Sequence, residues 1–145
     1  MKIAIGSDHG GIHLKTGLKK YLMDKGIEVL DCGTYTEESC DYPDIAEKVC
    51  GKITGGEVEK GILICGTGIG ISIAANKCKG IRAALCCDVY SAEKSREHND
   101  ANVLCMGERV TGPGLAERIT DAWLDMDFAG GRHARRVNKI MALED

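Results

Sequence analysis

The fold is decided by residues 60–77, which read KGILICGTGIGISIAANK. Gly61–Cys65 is apolar throughout, as expected of a strand that is buried on both faces of a sheet. Alternating glycines then form a turn, and Ile69–Lys77 has the composition of a short helix. A buried strand that leads through a turn into a helix is half of a βαβ unit. The segment therefore predicts a parallel sheet covered by helices.

The same alternation of short apolar runs and longer amphipathic stretches continues on both sides of this segment. Strands are predicted over Lys2–Gly6, Ile27–Asp31, Gly61–Cys65, Ile81–Cys86 and Val103–Met106. Helices are predicted over Ile12–Asp24, Pro43–Ile53, Ile69–Lys77, Val89–Glu97, Gly114–Met126 and Arg132–Leu143. We expect an α/β fold: one Rossmann-like three-layer domain over residues 1–145, with a five-stranded parallel sheet and helices on both faces.

The composition argues against several classes of protein. A formal net charge of −3, with both signs mixed along the chain, is untypical of a nucleic-acid binder. No apolar run reaches the roughly 18–20 residues that cross a bilayer, and the N-terminus lacks the apolar stretch of a signal peptide. The eight cysteines form no C-x-x-C pair and are interpreted as reduced thiols. We expect a cytoplasmic protein with no metal site and no nucleic-acid or membrane partner.

Ligands of open parallel sheets bind outside the carboxyl ends of the strands. Here those positions hold mostly small, polar or reactive residues, at 7–11, 32–34, 65–70, 87–88 and 107–109. In the turn at 65–70, the glycines have no Cβ atoms, so backbone N–H groups can approach a ligand closely. The N-terminus of the helix that follows favours a negatively charged ligand at the same place. This pattern indicates a phosphate cradle or an oxyanion hole; the alternative is a tight turn that only packs the helix on the sheet.

Two known phosphate motifs do not match this turn. Ile71 stands where the dinucleotide motif G-x-G-x-x-G has its last glycine, and no Gly-Lys-Ser/Thr of a Walker A motif follows. Cys65, at the strand end, is a candidate base or nucleophile because the following helix would stabilise its thiolate; the alternative is a buried strand thiol.

Further candidates lie in three places along the chain. Asp8 and His9 suit hydrogen bonding to a sugar or proton transfer, although Asp8 equally suits a helix N-cap. His98 and Asn99 could supply a general acid and a hydroxyl ligand, or simply end a helix. Arg132 and Arg136, one helical turn apart, could hold a phosphate dianion or form a solvated basic face. Arg109, which follows the last strand, is a further candidate for the phosphate.

A set of motifs, in one order along almost the whole chain, resembles the ribose-5-phosphate isomerase B family. The broader group of that family includes galactose-6-phosphate and allose-6-phosphate isomerases. The motifs are Gly6–Gly11, Asp41–Asp44, Cys65–Gly70, Ala74–Lys77, Gly80–Ala84, Glu97–Asn102 and Gly107–Arg109.

The resemblance implies an aldose–ketose isomerase of the pentose phosphate pathway. It would interconvert ribose 5-phosphate and ribulose 5-phosphate through a cis-enediolate without a cofactor. Cys65 would move the proton between C1 and C2, and Ile71 stands where other members carry a glutamate base. His98 with Asp8 would open the sugar ring, and Asn99 would bind a hydroxyl. The implied anion hole comprises Thr67 and the backbone of Gly66, Gly68, Ile69 and Gly70; the implied phosphate contacts are His9, Arg109, Arg132 and Arg136.

The resemblance also implies a homodimer or tetramer with active sites between two subunits. The His98 and Arg109 segments are expected to cross between subunits, and the helix at about 132–143 to lie at the dimer interface. Three alternatives stay open: a hexose 6-phosphate isomerase acting on allose or galactose 6-phosphate, a non-catalytic sugar-phosphate sensing module, and a redox or metal-handling protein.

Overall fold

The computed structural model describes residues 1–144 and contains every predicted strand and helix. The strands are β1 (Lys2–Ser7), β2 (Glu28–Asp31), β3 (Lys60–Cys65), β4 (Ala83–Leu85) and β5 (Val103–Gly107). The helices are α1 (Ile12–Asp24), α2 (Tyr42–Thr54), α3 (Ile69–Ala75), α4 (Val89–Glu97), α5 (Pro113–Asp125) and α6 (Arg132–Ala142). A 3₁₀ turn at His9–Gly11 joins β1 to α1.

All strands of the sheet run parallel, in the order β2-β1-β3-β5-β4. The predicted fold class is therefore confirmed. Residues 60–77 supply the central strand β3, whose end lies level with its neighbours: Ile64 pairs with Ser7, and Cys65 pairs with Gly107. The turns that follow β1, β3 and β5 consequently meet at one edge of the sheet.

Two apolar layers cover the sheet because successive strand side chains point to opposite faces. On one face, Ile62 and Ile64 of β3 pack with buried residues of α1, α4 and α5, among them Trp123. On the other face, Leu63 and Cys65 pack with buried residues of α2 and α3. Cys65 therefore points toward the layer that contains the helix following it.

The edge strand β4 starts two residues later than the predicted Ile81–Cys86, where the side chain of Asn102 takes the N–H of Arg82, and ends one residue earlier. Asn76 accepts from the N–H of Ala83 at 2.8 Å and donates to the carbonyl of Ala83 at 2.9 Å. Asn102 accepts from the N–H of Arg82 at 2.8 Å. The amide of Asn76 thus takes the place of a neighbouring strand. No helix within residues 1–144 is both long enough and apolar enough to cross a membrane.

Candidate active site

The turn after β3 folds back over the Cys65 thiol. The Cys65 side chain is buried, and its Sγ accepts a hydrogen bond of 3.1 Å from the N–H of Gly68. Gly68 has a φ of +81°, and a Cβ at this position would lie 2.5 Å from Cδ1 of Leu85. Only glycine both adopts this positive φ readily and fits the available space. Because residue 68 has no side chain, its backbone N–H can approach the sulfur this closely.

Free backbone donors lie in the same turn as the thiol. Thr67 Oγ1 accepts from the N–H of Ile69 at 3.1 Å. Within the described part of the chain, the N–H groups of Gly66, Thr67 and Gly70 have no hydrogen-bond acceptor. Unpaired donors at the start of a helix are suited to an anion or a developing oxyanion. The turn therefore combines a thiol with donors for negative charge.

The turn after β1 abuts this one. Asp8 Oδ1 accepts from the N–H of Gly10 at 2.9 Å, so Asp8 does cap the short 3₁₀ turn. A Cβ at Gly10 would lie 3.3 Å from the nitrogen of Gly66, which shows how closely the two turns approach. His9 Nδ1 accepts from the N–H of Cys40 at 3.2 Å. The neutral ring consequently carries its proton on Nε2, which is the atom left to donate to a ligand.

The turn after β5 brings Arg109 to the glycine-rich turn. The N–H of Glu108 donates to the carbonyl of Cys65, and the N–H of Arg109 donates to that of Gly66, both at 3.0 Å. A Cβ at Gly66 would lie 3.2 Å from Nη1 of Arg109, so the guanidinium lies beside the backbone of the turn. Of the predicted site residues, the structure thus brings together Asp8, His9, Cys65, Gly66, Thr67, Gly68, Ile69, Gly70 and Arg109.

The remaining predicted residues lie at the other edge of the sheet. Helix α4 runs from the carboxyl end of β4 to the amino end of β5, and His98 is its C-terminal cap. Nearby, the carbonyl of Asn102 accepts from Gly61 at the start of β3, at 2.9 Å. The five residue steps of β3 span about 16 Å. One chain therefore does not bring His98 or the exposed Asn99 to Cys65.

His98 belongs to a second, basic cluster at this opposite edge. Its ring stacks on that of His133 at the start of α6, with centroids 4.2 Å apart and planes 7° from parallel. Partial burial and the nearby charges of His98, Arg132 and Arg136 lower the pKa of His133 below its usual value. Sequence reasoning gave His133 no role, although its place between two candidate arginines was a signal.

Sequence reasoning also gave no role to Tyr42 at the start of α2. A Cβ at Gly70 would lie 2.6 Å from the Tyr42 ring, so this ring covers the backbone of the glycine-rich turn. The residue lies within the motif Asp41–Asp44 that contributed to the family resemblance. Tyr42 is therefore a wall of the candidate site.

Several other cysteines are core residues with weakly acidic thiols. Burial raises the pKa of Cys86 to about 11, and burial together with the adjacent Cys78 raises that of Cys50 to about 12. Cys105 is fully buried, and burial raises its pKa well above the usual range. Cys86 and Cys105 are both buried. Across residues 1–144, no group of three or more His, Cys, Asp or Glu side chains is arranged to hold a metal ion.

Comparison with known proteins places this architecture in a family. The family described as Ribose/Galactose Isomerase matches residues 3–140. Ribose-5-phosphate isomerase B of Escherichia coli is 54% identical over 143 residues, covering 99% of this chain and 96% of the relative. D-erythrulose-4-phosphate isomerase of Pectobacterium atrosepticum is 48% identical, covering 97% of this chain and 93% of the relative.

A solved structure agrees with both the sequence match and the fold. Ribose-5-phosphate isomerase B of Clostridium thermocellum superimposes with a TM-score of 0.98 and is 58% identical, covering 99% of this chain and 97% of that one. The resemblance inferred from the motifs is therefore confirmed. This chain belongs to the ribose/galactose isomerase family.

Proposed function

We propose that this chain is an aldose–ketose isomerase that interconverts ribose 5-phosphate and ribulose 5-phosphate. The observation that carries the proposal is the Cys65 thiol in one turn with the unpaired N–H groups of Gly66, Thr67 and Gly70. A base and a set of oxyanion donors in one turn are what enolisation of a sugar needs. The names of the E. coli and C. thermocellum relatives support ribose 5-phosphate as the substrate.

In the proposed mechanism, the Cys65 thiolate removes a proton from C2 of the open-chain aldose. The electron pair of the C–H bond forms the C1–C2 double bond, and the carbonyl oxygen at C1 becomes an oxyanion. The resulting cis-enediolate is stabilised by the N–H groups of the turn. After a proton shift between the two oxygens, Cys65 returns its proton to C1, which yields the ketose. No redox partner is consumed because both carbons exchange oxidation states.

His9 and Arg109 are proposed to hold the substrate. Nε2–H of His9 and the guanidinium of Arg109 are donors at the same edge of the sheet as Cys65. Contacts to a phosphate remote from the reacting carbons keep the substrate in register and contribute to the lowering of the barrier.

A second copy of the chain is proposed to complete the site with His98, Asn99, Arg132 and Arg136. This proposal accounts for two groups of candidate residues that lie at opposite edges of one subunit's sheet. An apolar surface beside the Cys65 turn supports it: Ile69 and Ile73, one turn apart on α3, are 52% and 58% exposed. Such a patch next to a site is typical of an interface. Helix α6, with exposed Ile140, is proposed to lie at the same interface.

The test is turnover by the purified full chain, with EDTA present, on a panel of sugar phosphates. Wild type and the variants Cys65→Ala and Cys87→Ala are compared. Cys87 is an exposed cysteine after β4 and serves as the matched control. We expect turnover of ribose 5-phosphate that Cys87→Ala retains and Cys65→Ala loses by about 10²–10⁴-fold in kcat, which is the contribution of a positioned base.

The other members of the panel are allose 6-phosphate, galactose 6-phosphate and D-erythrulose 4-phosphate. Preference for one of these would support the isomerase mechanism but overturn ribose 5-phosphate as the substrate. Equal turnover by wild type and Cys65→Ala would overturn the role of the base. Binding of sugar phosphates without turnover would overturn the isomerase proposal and favour a sensing module.

A further inference from the structure

Glu108, in the turn after β5, reaches a helix that is remote in sequence. Its Oε1 accepts a hydrogen bond of 2.6 Å from the backbone N–H of Leu14, in the first turn of α1. Helix α1 lacks a side-chain cap of its own because Gly11 occupies the N-cap position. A carboxylate at a helix N-terminus satisfies an unpaired N–H and is attracted by the positive end of the helix. Glu108 therefore supplies the cap that the sequence of α1 omits.

The backbone of Glu108 is tied to the active-site turn. Its N–H donates to the carbonyl of Cys65, and the next N–H, that of Arg109, donates to Gly66. The residue thus joins three strand ends: its backbone holds β5 to β3, and its side chain holds both to the helix that follows β1. The side-chain bond is the one hydrogen bond between the Arg109 turn and α1 described within residues 1–144.

The direction of the Arg109 side chain depends on this turn. Residues 107–111 close through hydrogen bonds from Val110 and Thr111 to the carbonyl of Gly107, at 3.1 Å and 2.9 Å. The bonds from Glu108 and Arg109 to the carbonyls of Cys65 and Gly66 attach this turn to the end of β3. The bond from Glu108 to Leu14 attaches it to α1 as well, and so restrains rotation of the turn about its bonds to β3. Rotation would carry the exposed guanidinium of Arg109 away from Gly66.

We propose that Glu108 is a positioning residue, which acts by holding Arg109 beside the glycine-rich turn through its bond to α1. The proposal rests on the proposed function, because Arg109 matters only if an anionic substrate binds at that turn. It predicts that Glu108 affects substrate binding more than the chemical step, and that its effect passes through Arg109.

A double-mutant cycle on the full chain tests this. KM and kcat for ribose 5-phosphate are measured for wild type, Glu108→Ala, Arg109→Ala and the double variant. We expect Glu108→Ala to raise KM about tenfold with kcat within about threefold, and to add almost nothing when Arg109 is already alanine. Glu108→Gln keeps an acceptor for Leu14 and is expected to restore KM to within about threefold of wild type.

Glu117→Ala is the matched control, because this carboxylate of α5 lines the same cavity of about 180 Å³ as Glu108 and Leu14. We expect its KM to be that of wild type. Additive effects of Glu108→Ala and Arg109→Ala would overturn the proposal, as would a loss of thermal stability with unchanged KM.

Inorganic phosphate separates this proposal from the proposed function. Its affinity is read from the shift of the thermal midpoint, which needs no turnover. If wild type does not isomerise ribose 5-phosphate but binds phosphate, a weaker affinity in Glu108→Ala supports the positioning role. An unchanged phosphate affinity in that variant overturns it.

Discussion

At the scale of single residues, Gly68 is a position where the site tolerates no side chain. Its positive φ lets the chain turn back so that its N–H meets the Cys65 sulfur, and there is no room for a side chain against Leu85 and Met106. The same glycine therefore serves the backbone conformation and the chemistry proposed for the thiol.

Gly68→Ala is expected to lower the free energy of unfolding by about 1–3 kcal/mol, through backbone strain and crowding. It is also expected to reduce kcat, because the N–H groups of the turn shift away from the thiol. Urea denaturation and steady-state kinetics measure the two effects. Gly17→Ala is the control: nothing lies within 4 Å of its Cβ position in α1, so a gain of about 0.5–1 kcal/mol is expected. Wild-type stability and activity in Gly68→Ala would contradict this account.

At the scale of elements, the pair Lys15–Asp31 ties α1 to β2 and to the segment that follows it. Lys15 is 2% exposed, and its Nζ donates to Asp31 Oδ1 at 2.8 Å and to the carbonyl of Thr34 at 2.6 Å. The segment beginning at Thr34 also contains Cys40, whose N–H sets the tautomer of His9. A buried ion pair between two elements thus supports the geometry of a candidate site residue.

The protonation of Asp31 gives this tie a pH dependence. Burial raises the pKa of Asp31, but hydrogen bonds from Lys15 and the Gly33 N–H, with the charges of Lys15 and Lys19, outweigh burial and lower it. The folded pKa therefore lies below the unfolded value of about 3.9. The stabilisation is fully present above about pH 5 and is lost as the pH falls below 4 through the folded pKa.

Lys15→Met is expected to lower the free energy of unfolding by about 2–3 kcal/mol at pH 7, because of its two ion pairs the largely buried Asp31 carboxylate then keeps only the longer one, at 3.4 Å from the partly exposed Lys19. The difference from wild type should narrow below pH 4, where Asp31 becomes protonated. Denaturant titrations at several pH values measure this. Lys20→Met removes the exposed pair with Asp24 and should change stability by less than about 1 kcal/mol. Equal losses in the two variants would refute the proposed difference between buried and exposed pairs.

Also at the scale of elements, the N-terminus of helix α1 is bound by a carboxylate of the protein itself. In doubly wound folds, the N-terminus of the first helix is a common place for a bound phosphate. Here that place holds the Glu108 carboxylate, at 2.6 Å from the N–H of Leu14. The groups proposed to bind an anion are instead the turn after β3 and Arg109, which agrees with the absence of a dinucleotide motif after β1.

At the scale of the whole molecule, the proposed site needs a second copy of the chain, because its two groups of residues lie at opposite ends of one subunit's strands. Cys65 lies at the carboxyl edge of the sheet and the stacked pair His98–His133 at the amino edge. If each active site takes Cys65 from one copy and His98 from another, two inactive variants will repair each other when they share an assembly.

Cys65→Ala and His98→Asn are each expected to be nearly inactive on ribose 5-phosphate. When they are mixed, unfolded and refolded together, mixed dimers should hold one intact site each, so about a quarter of wild-type activity returns. Mixing without subunit exchange is the control and should recover none. Activity no greater than the sum of the two variants after refolding would contradict a site shared between copies.

The sequence determined the strands, the helices and the chemistry of the turn after β3. Apolar periodicity and glycine placement are local signals, so β3, its turn and the parallel sheet could be predicted without coordinates. The motif order was equally visible, and the family it indicated is confirmed. Boundaries were less well determined: β4 starts at Ala83 and not at the predicted Ile81, and the Asn102 side chain takes the N–H of Arg82 just before it, a contact that local patterns do not encode.

Only the tertiary structure decided which of the candidate residues meet. The sequence indicated both His98 and Cys65 as candidates for proton transfer. The direction of α4, however, places His98 at the opposite end of the strands from Cys65. The contact of Glu108 with Leu14 joins residues 94 positions apart, and the stack of His98 on His133 joins two helices. These contacts depend on strand order and helix packing, which bring together segments distant in the chain. Residue type and spacing determine what a segment forms, and the packing of the whole chain determines what it faces.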